Sequence, residues 1–200
     1  MLVAVRGGSY REGVLGQPSF LNPILVNGNE ADRDLTQVLF SNVLDLAQSA
    51  KMSTDGKTWT IRLKDNVVWD NGTPITSDDV IFTIKTIQDP ATRSPLFKNW
   101  QGIVVERISE LQIQLTLPTP YVFIAENIKR LPILPKHIFG SIPAANLQLS
   151  SYNLEPVGNG PYRFKNFSKR RDGFITDYAL TINENYAGEK PFIKDFYFKF

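Results

Sequence analysis

Alternation of apolar and polar residues predicts several strands in this chain. Over residues 58–63, Trp, Ile and Leu alternate with polar residues, as in a strand with one buried face. The same pattern fills residues 103–117, where a polar break in the middle predicts a hairpin with one wet face. Paired strands are also predicted over residues 162–182 around an Asp-Gly turn, and an aromatic strand over residues 194–200.

The N-terminal part is predicted to hold a short strand and one clear helix. Leu2–Val5 favours a strand, and the glycines that follow it favour a turn. Apolar residues recur at helical spacing from about Ala31 to Val43. Asp32 and Asp34 lie in the first turn of this helix, where carboxylates interact favourably with the helix dipole, so we interpret them as helix-start charges.

The strongest helical pattern begins at Thr76. Asp79 lies three residues later, which gives a start like a capping box, and the apolar spacing continues until Pro90 stops the helix. Short helices are predicted over residues 121–128 and 136–139, and residues 140–155 are predicted to form a polar surface loop.

The composition is that of a folded globular protein. The 200 residues are 42% hydrophobic, which is enough for one domain or two small ones. The 22 Lys and Arg against 20 Asp and Glu leave a net charge of +2, and no long charge run suggests a nucleic-acid or membrane partner. With no Cys, disulfides and thiol nucleophiles are excluded. The apolar run before Arg6 is too short for the core of a signal peptide, so we expect no signal peptide in the chain as it stands.

No catalytic constellation stands out among the polar residues. His137 is the single His and has no nucleophile beside it in the sequence, and Asp78 and Asp79 are explained by their place in the first turn of a helix. Lys169–Arg171 beside a hairpin turn is interpreted as solvated. The three Trp residues, of which two lie in predicted strands, are interpreted as core residues. We therefore expect no enzyme activity, no cofactor and no metal site.

Several stretches occur in the order and spacing of a known family. Residues 53–84, STDGKTWTIRLKDNVVWDNGTPITSDDVIFTI, closely resemble a signature of the family 5 solute-binding proteins, the peptide and nickel receptors of ATP-binding cassette importers. Five more stretches agree: SFLNPIL (19–25), LQIQLTLPTPYVFI (111–124), LPILPKHIF (131–139), PVGNGPYRF (156–164) and LTINENYAGEKPFIKDFYFKF (180–200).

The resemblance implies a mixed α/β (α+β) fold of the periplasmic-binding-protein type II kind. In this family two lobes close on a ligand, and an extra subdomain sits on the first lobe. Matched by segment, residues 1–48 and 156–200 correspond to part of the first lobe, and residues 49–155 to the β-rich extra subdomain. The second lobe is missing. We therefore expect the chain to be an N-terminal fragment, truncated at its last strand.

The resemblance also indicates a ligand-facing surface. The loop Val26, Asn27, Gly28 and Asn29 is similar to the family segment that faces the ligand, and Gly28 permits close backbone approach. Phe97 and Trp100 resemble the region where the subdomain approaches the cleft, with core packing as the alternative. Peptide-binding relatives hold their ligand through its main chain, so side chains carry little information about ligand identity.

The function implied is capture of an oligopeptide or similar solute outside the cytoplasm, for uptake by the membrane permease of an importer. We expect a monomer, in the periplasm or at the cell surface, with or without a lipid anchor. A dipeptide, nickel chelate, haem or oligosaccharide is equally compatible with the scaffold. The alternative is a protein-interaction or chaperone-like module in which the exposed edge of the strand at 194–200 pairs with another chain. A hydrolase based on Asp78 and Asp79 is a third hypothesis.

Overall fold

The computed structural model describes residues 5–26 and 28–200. The strands in this part of the chain are β1 (Gly7–Gly13), β2 (Ala47–Met52), β3 (Thr58–Leu63), β4 (Val104–Ser109), β5 (Gln112–Thr116), β6 (Tyr162–Lys169), β7 (Ile175–Ile182) and β8 (Ile193–Lys199). The α-helices are α1 (Glu30–Leu39), α2 (Ser77–Gln88), α3 (Phe97–Trp100), α4 (Ile124–Lys129) and α5 (Lys136–Phe139).

The strands form two four-stranded sheets. The first sheet has the order β1-β8-β7-β6, and the second sheet has the order β2-β3-β5-β4. The second sheet is antiparallel throughout, whereas the first sheet contains one parallel pair, β1 with β8. The first sheet thus draws its strands from both ends of the sequence and the second from between them. The division at residues 48 and 155 remains a prediction.

The last strand lies inside the first sheet and not at its edge. β8 pairs in parallel with β1, where Tyr10 is opposite Phe196, and antiparallel with β7, where Tyr178 is opposite Phe198. Both sides of β8 are therefore hydrogen-bonded. The hypothesis of an interaction module that uses a free edge at residues 194–200 is wrong, because the backbone donors and acceptors of that edge are already occupied.

Local sequence signals account for the two long helices. Thr76 caps α2, and the Asp79 carboxylate accepts a hydrogen bond from the backbone N–H of Thr76, which confirms the predicted capping box. Asn29 caps α1 by accepting from the N–H of Asp32. α1 ends at Leu39, earlier than its apolar spacing suggests. Val43 belongs to the next segment, where its N–H donates to the Leu131 carbonyl.

One hydrophobic cluster connects the two sheets. It contains Ile61 and Leu115 of the second sheet together with Leu180 and Phe198 of the first sheet. Trp69 is also part of this cluster and is fully buried. Burial of this apolar surface is the main source of stability for the fold.

A glycine-rich segment at residues 158–160 is hydrogen-bonded both to the end of α1 and to Asp70. The N–H groups of Asn159 and Gly160 both donate to the Leu39 carbonyl at the end of α1, at 3.1 and 2.9 Å. Gly158 exchanges two hydrogen bonds with Asp70, one with its backbone and one with its carboxylate. A Cβ at residue 160 would lie 2.6 Å from the Leu39 carbonyl carbon, so only glycine fits there.

Other local predictions need correction. Of the predicted strand Leu2–Val5, residues 2–4 lie outside the described residues, and Val5 is not in a strand. The glycine-rich segment after it, predicted as a turn, forms β1, because it pairs with a strand far away in the sequence. The helix predicted over residues 121–128 begins later, at Ile124. The loop at residues 140–155 contains two 3₁₀ segments, and its Leu147 and Asn153 are buried.

Candidate functional site

Strand directions in the first sheet define one edge where a ligand site is expected. β1 and β8 are parallel, and β7 is antiparallel to both β8 and β6. The carboxyl ends of β1, β6 and β8 therefore lie at the same edge of the sheet. Ligands of α/β proteins bind outside the carboxyl ends of strands, where loops supply unpaired backbone groups. The loop over residues 14–29, which links β1 to α1, starts at this edge.

Asp32 fixes the middle of this loop. Its carboxylate accepts from the N–H of Ser19 at 2.6 Å, from the Ser19 hydroxyl at 2.7 Å and from the N–H of Phe20 at 3.1 Å. The residue is only 2% exposed, so three donors surround a buried charge. Interpreting Asp32 as a helix-start charge is therefore incomplete, because its main contacts hold the loop against α1.

The tip of the loop is held by buried asparagines. Asn22 accepts from the N–H of Ile24 at 3.3 Å, and its amide nitrogen lies 3.4 Å from the Asn153 side-chain oxygen. The N–H of Leu21 donates to the Asn153 carbonyl at 2.7 Å. Both asparagines are almost fully buried. The loop consequently has a defined conformation that tertiary contacts impose.

A second segment, residues 89–98, packs against the same loop. The Ser94 hydroxyl donates to the Ile24 carbonyl at 2.6 Å, and Ser94 is 6% exposed. Next to it, Arg93 has a left-handed backbone with φ of 55°, a conformation that is uncommon for residues other than glycine. A cavity of about 370 Å³ opens here. It is lined by Asp89, Pro90, Arg93, Ser94, Pro95, Phe97 and Lys98.

Three of the predicted ligand residues stay at least partly accessible. Val26 is half-buried, Gly28 is exposed with φ of 75°, and Phe97 lines the cavity. Asn27 lies outside the described residues. The Ser94 hydrogen bond links the loop that carries Val26 to the segment that carries Phe97. A backbone contact at Gly28 and an apolar contact at Phe97 are therefore both sterically available.

Two other predicted residues have structural duties. The Asn29 side chain caps α1 and donates to the Gln17 carbonyl at 3.0 Å and to the Ser19 hydroxyl at 3.2 Å, which uses both of its N–H donors. Trp100 is 2% exposed and belongs to the hydrophobic core. The core-packing alternative describes the position of Trp100, and its ring is not presented to the cavity.

Sequence reasoning missed the residues that shape this site. Asp32, Ser94 and Asn153 were not recognised as loop anchors, since Ser94 and Ile24 are 70 residues apart and Asn22 and Asn153 are 131 apart. The available signal was weak: of these three residues only Ser94 lies next to a proline, and a small polar residue beside a proline is common in ordinary loops.

His137 lies elsewhere, beside the start of α2. The Asn71 side-chain oxygen accepts from the N–H of Thr73 at 3.1 Å, so its amide nitrogen faces His137 Nε2, 3.0 Å away. Nε2 must accept this hydrogen bond, which requires the neutral ring. Partial desolvation lowers the pKa of His137, and the nearby Asp79 opposes this. His137 is thus a structural contact, and no Ser, Thr or Asp is recorded in hydrogen-bond contact with it in the described chain.

The neighbouring carboxylates are used in structural contacts too. Asp79 accepts from the N–H groups of Thr76 and Lys136, both at 2.9 Å, while burial raises its pKa. Asp78 lies 3.1 Å from Lys136 Nζ and 3.5 Å from an Arg107 nitrogen. Across residues 5–26 and 28–200, no three His, Asp or Glu side chains are grouped to hold a metal ion. Nor is any helix in these ranges long and apolar enough to span a bilayer.

Comparison with known proteins identifies the fold and the family. The chain is 31% identical over 194 residues to Protein XP55 of Streptomyces lividans. The alignment covers 92% of this chain but 34% of that protein. It is 27% identical over 206 residues to the oligopeptide-binding protein AppA of Bacillus subtilis, with coverage of 94% and 36%. The solved structure of the ABC transporter substrate-binding protein CtaP of Listeria monocytogenes superposes with a TM-score of 0.86 at 31% identity.

In that superposition 97% of this chain matches 40% of CtaP, so the chain spans well under half the length of these relatives. The fold is accordingly part of a type II periplasmic-binding-protein fold, as the resemblance implied. The sequence profile of bacterial extracellular solute-binding proteins, family 5, matches residues 42–200. This is a family of binding proteins and not of enzymes. The chain belongs to family 5 of the bacterial extracellular solute-binding proteins.

Proposed function

We propose that the gene product containing this chain captures oligopeptides outside the cytoplasm for the permease of an ATP-binding cassette importer. The observation that carries this proposal is the anchored loop at residues 14–29, which starts at the carboxyl edge of the first sheet and accepts, at Ile24, a hydrogen bond from Ser94 in the lining of an open cavity. A loop fixed by buried hydrogen bonds can present backbone donors and acceptors at little entropic cost. The oligopeptide-binding name of the relative AppA supports peptides as the ligand class.

Within this proposal, residues 1–48 and 156–200 form part of the first lobe and residues 49–155 form the extra subdomain. The ligand would lie against Val26, Asn27, Gly28 and the neighbouring Phe97, with its main chain hydrogen-bonded to the loop backbone. Because side chains contribute little to such recognition, peptides of different sequence would bind. The second lobe would close over the ligand, and the complete receptor would act as a monomer.

Phe97 offers a direct test. We expect Phe97→Ala to weaken the binding of alanine di-, tri- and pentapeptides by about tenfold, because it removes most of an apolar contact worth roughly 1.5 kcal/mol. Phe123→Ala is the matched control, since Phe123 is 64% exposed and lies in the segment just before α4, outside the cavity lining. Isothermal titration calorimetry on the gene product, refolded to remove bound solutes, measures both.

The outcomes are distinct. Peptide binding that weakens in Phe97→Ala and persists in Phe123→Ala supports the proposed site. If Phe97→Ala binds the peptides as tightly as Phe123→Ala and the wild type do, the peptide does not contact Phe97. If the wild-type gene product binds none of these peptides, the peptide class itself is wrong, and the other solutes considered for this family become the ones to test.

A further inference from the structure

The charges around the carboxyl edge of the first sheet are unbalanced. The loop over residues 14–29 contains no Asp, Glu, Lys or Arg. Lys169 ends β6, and the turn that follows it carries Arg170 and Arg171 together with the single carboxylate of Asp172. Because β6 runs parallel to β1, this basic turn and the uncharged loop lie at the same edge of the sheet.

The basic turn also contacts the loop. The Gln17 side-chain oxygen accepts from the N–H of Ile175, the first residue of β7, at 2.8 Å. Arg170 donates its N–H to the Phe174 carbonyl at 2.9 Å, which closes the turn directly before that contact. The loop and the turn therefore form one connected surface, and the position of the turn relative to the loop is fixed by hydrogen bonds.

Neighbouring aromatic rings hold two of the three cations. The Lys169 ammonium lies 4.7 Å from the centre of the Phe167 ring, and the Arg170 guanidinium lies 4.4 Å from the centre of the Phe174 ring. Cation–π contacts orient such side chains without neutralising them. Asp172 lies 3.1 Å from Arg170, and no ion pair is recorded for Lys169 or Arg171 within the described chain. All three cations are exposed.

The cavity that Ser94 lines also carries more positive than negative charge. Arg93 and Lys98 line it and are both exposed. Asp89 is the acidic group in the lining, and one of its carboxylate oxygens accepts from the N–H of Ala91 at 2.8 Å. A surface with one sign of charge raises the local concentration of oppositely charged solutes and increases their association rate.

We propose that Lys169, Arg170 and Arg171 form a basic rim that gives the site a preference for anionic solutes, in particular peptides with acidic side chains. This inference rests on the proposed function, because it assigns the ligand preference of the same site. The rim acts through partly solvated charges and not through a closed pocket, so its effect is moderate and depends on salt. The combined effect of three exposed cations corresponds to about a 3- to 150-fold preference.

The test compares two tripeptides, Ala-Glu-Ala and Ala-Gln-Ala, which differ in charge but little in shape. Calorimetry of the gene product at low ionic strength should show about tenfold tighter binding of Ala-Glu-Ala. The triple variant Lys169→Ser, Arg170→Ser, Arg171→Ser should lose this preference and keep its affinity for Ala-Gln-Ala. The control carries Lys51→Ser, Lys57→Ser and Lys129→Ser, which remove three exposed cations that lie outside the first sheet and its turns. It should retain the preference.

Each other outcome overturns the inference. Equal affinities of the wild-type protein for the two tripeptides, or a preference that survives in the triple variant, refute the basic rim and leave the proposed function standing. Loss of the preference in the control as well would show a non-specific effect of net charge. Absence of binding to either tripeptide removes the proposed function and the rim with it. A lipid-binding role for the turn would give another result: the wild type and the control would sediment with phosphatidylglycerol vesicles, the triple variant would not, and no protein would prefer Ala-Glu-Ala.

Discussion

Gly160→Ala tests the contact between residues 158–160 and the end of α1. A Cβ at residue 160 would lie 2.6 Å from both the Leu39 carbonyl carbon and the Val38 carbonyl oxygen, and 2.7 Å from the Phe40 nitrogen. All three are backbone atoms, so no flexible side chain can move aside. The backbone conformation of Gly160 itself does not require glycine, because its φ is not in the left-handed region. The expected cost is therefore steric.

The magnitude follows from the contacts that must yield. Overpacking of a closely packed interior costs about 1–3 kcal/mol. The displaced segment also weakens two hydrogen bonds, from Gly160 to Leu39 at 2.9 Å and from the Asn183 amide to the Gly160 carbonyl at 2.9 Å, each worth about 0.5–1.5 kcal/mol. The lower entropy of the unfolded alanine chain returns about 0.4–1 kcal/mol. We expect a net loss of about 1–6 kcal/mol in the free energy of unfolding.

Urea denaturation followed by tryptophan fluorescence measures this loss, because Trp69 and Trp100 are buried and report on unfolding. Gly13→Ala is the matched control, since no atom lies within 4 Å of a Cβ there and its φ is not positive. The control should stay within about 0.5 kcal/mol of the wild type. A Gly160→Ala protein as stable as the control would show that the close approach to Leu39 does not exist in solution.

Two further predictions concern the loop and the histidine. Asp32→Asn should lower the free energy of unfolding by about 1–3 kcal/mol, because a neutral amide replaces the acceptor of three hydrogen bonds. The control Asp34→Asn removes one ion pair at 4.0 Å and should change the free energy of unfolding by less than about 0.5 kcal/mol. Equal effects of the two substitutions would refute the anchoring role of Asp32. Stability should fall as the pH drops below 6.5, because the lowered pKa of folded His137 means that the unfolded chain binds the proton first. His137→Gln should flatten this part of a urea-midpoint profile against pH, and an unchanged slope would contradict the assignment. Burial raises the pKa values of Asp70 and Asp79 above the ordinary value of 3.8, so these groups bind protons in the folded state first. Their effect on stability therefore opposes that of His137, and it is expressed at lower pH.

Helices and hairpins were predictable because their signals are local. The capping pair Thr76 and Asp79 and the Asp172-Gly173 turn specify their elements within a few residues. The resemblance of six stretches to family 5 indicated the fold that the comparisons show. For the ligand residues the resemblance was less selective, because it grouped Asn29 and Trp100, which serve capping and core packing, with the more accessible Gly28 and Phe97.

Contacts between distant segments could not be predicted in the same way. The glycines of β1 have low strand propensity and predict a turn, yet pairing with β8 makes them a strand. An edge at residues 194–200 seemed available only because nothing in the sequence identifies the partner of β8. Asp32, likewise, has the same sequence signature as an ordinary helix-start carboxylate, and only the fold brings Ser19 and Phe20 to it.

The position of β8 between β1 and β7 has a consequence for synthesis of the protein. Strand β1 is made before the other described strands, and β8, with which it pairs, is made after them. Pairing of such distant segments carries a large loop-closure cost and is slow. The second sheet, whose strands are close in sequence, can form during translation. Until β8 is made, β1 therefore lacks the strand with which it pairs in the folded structure.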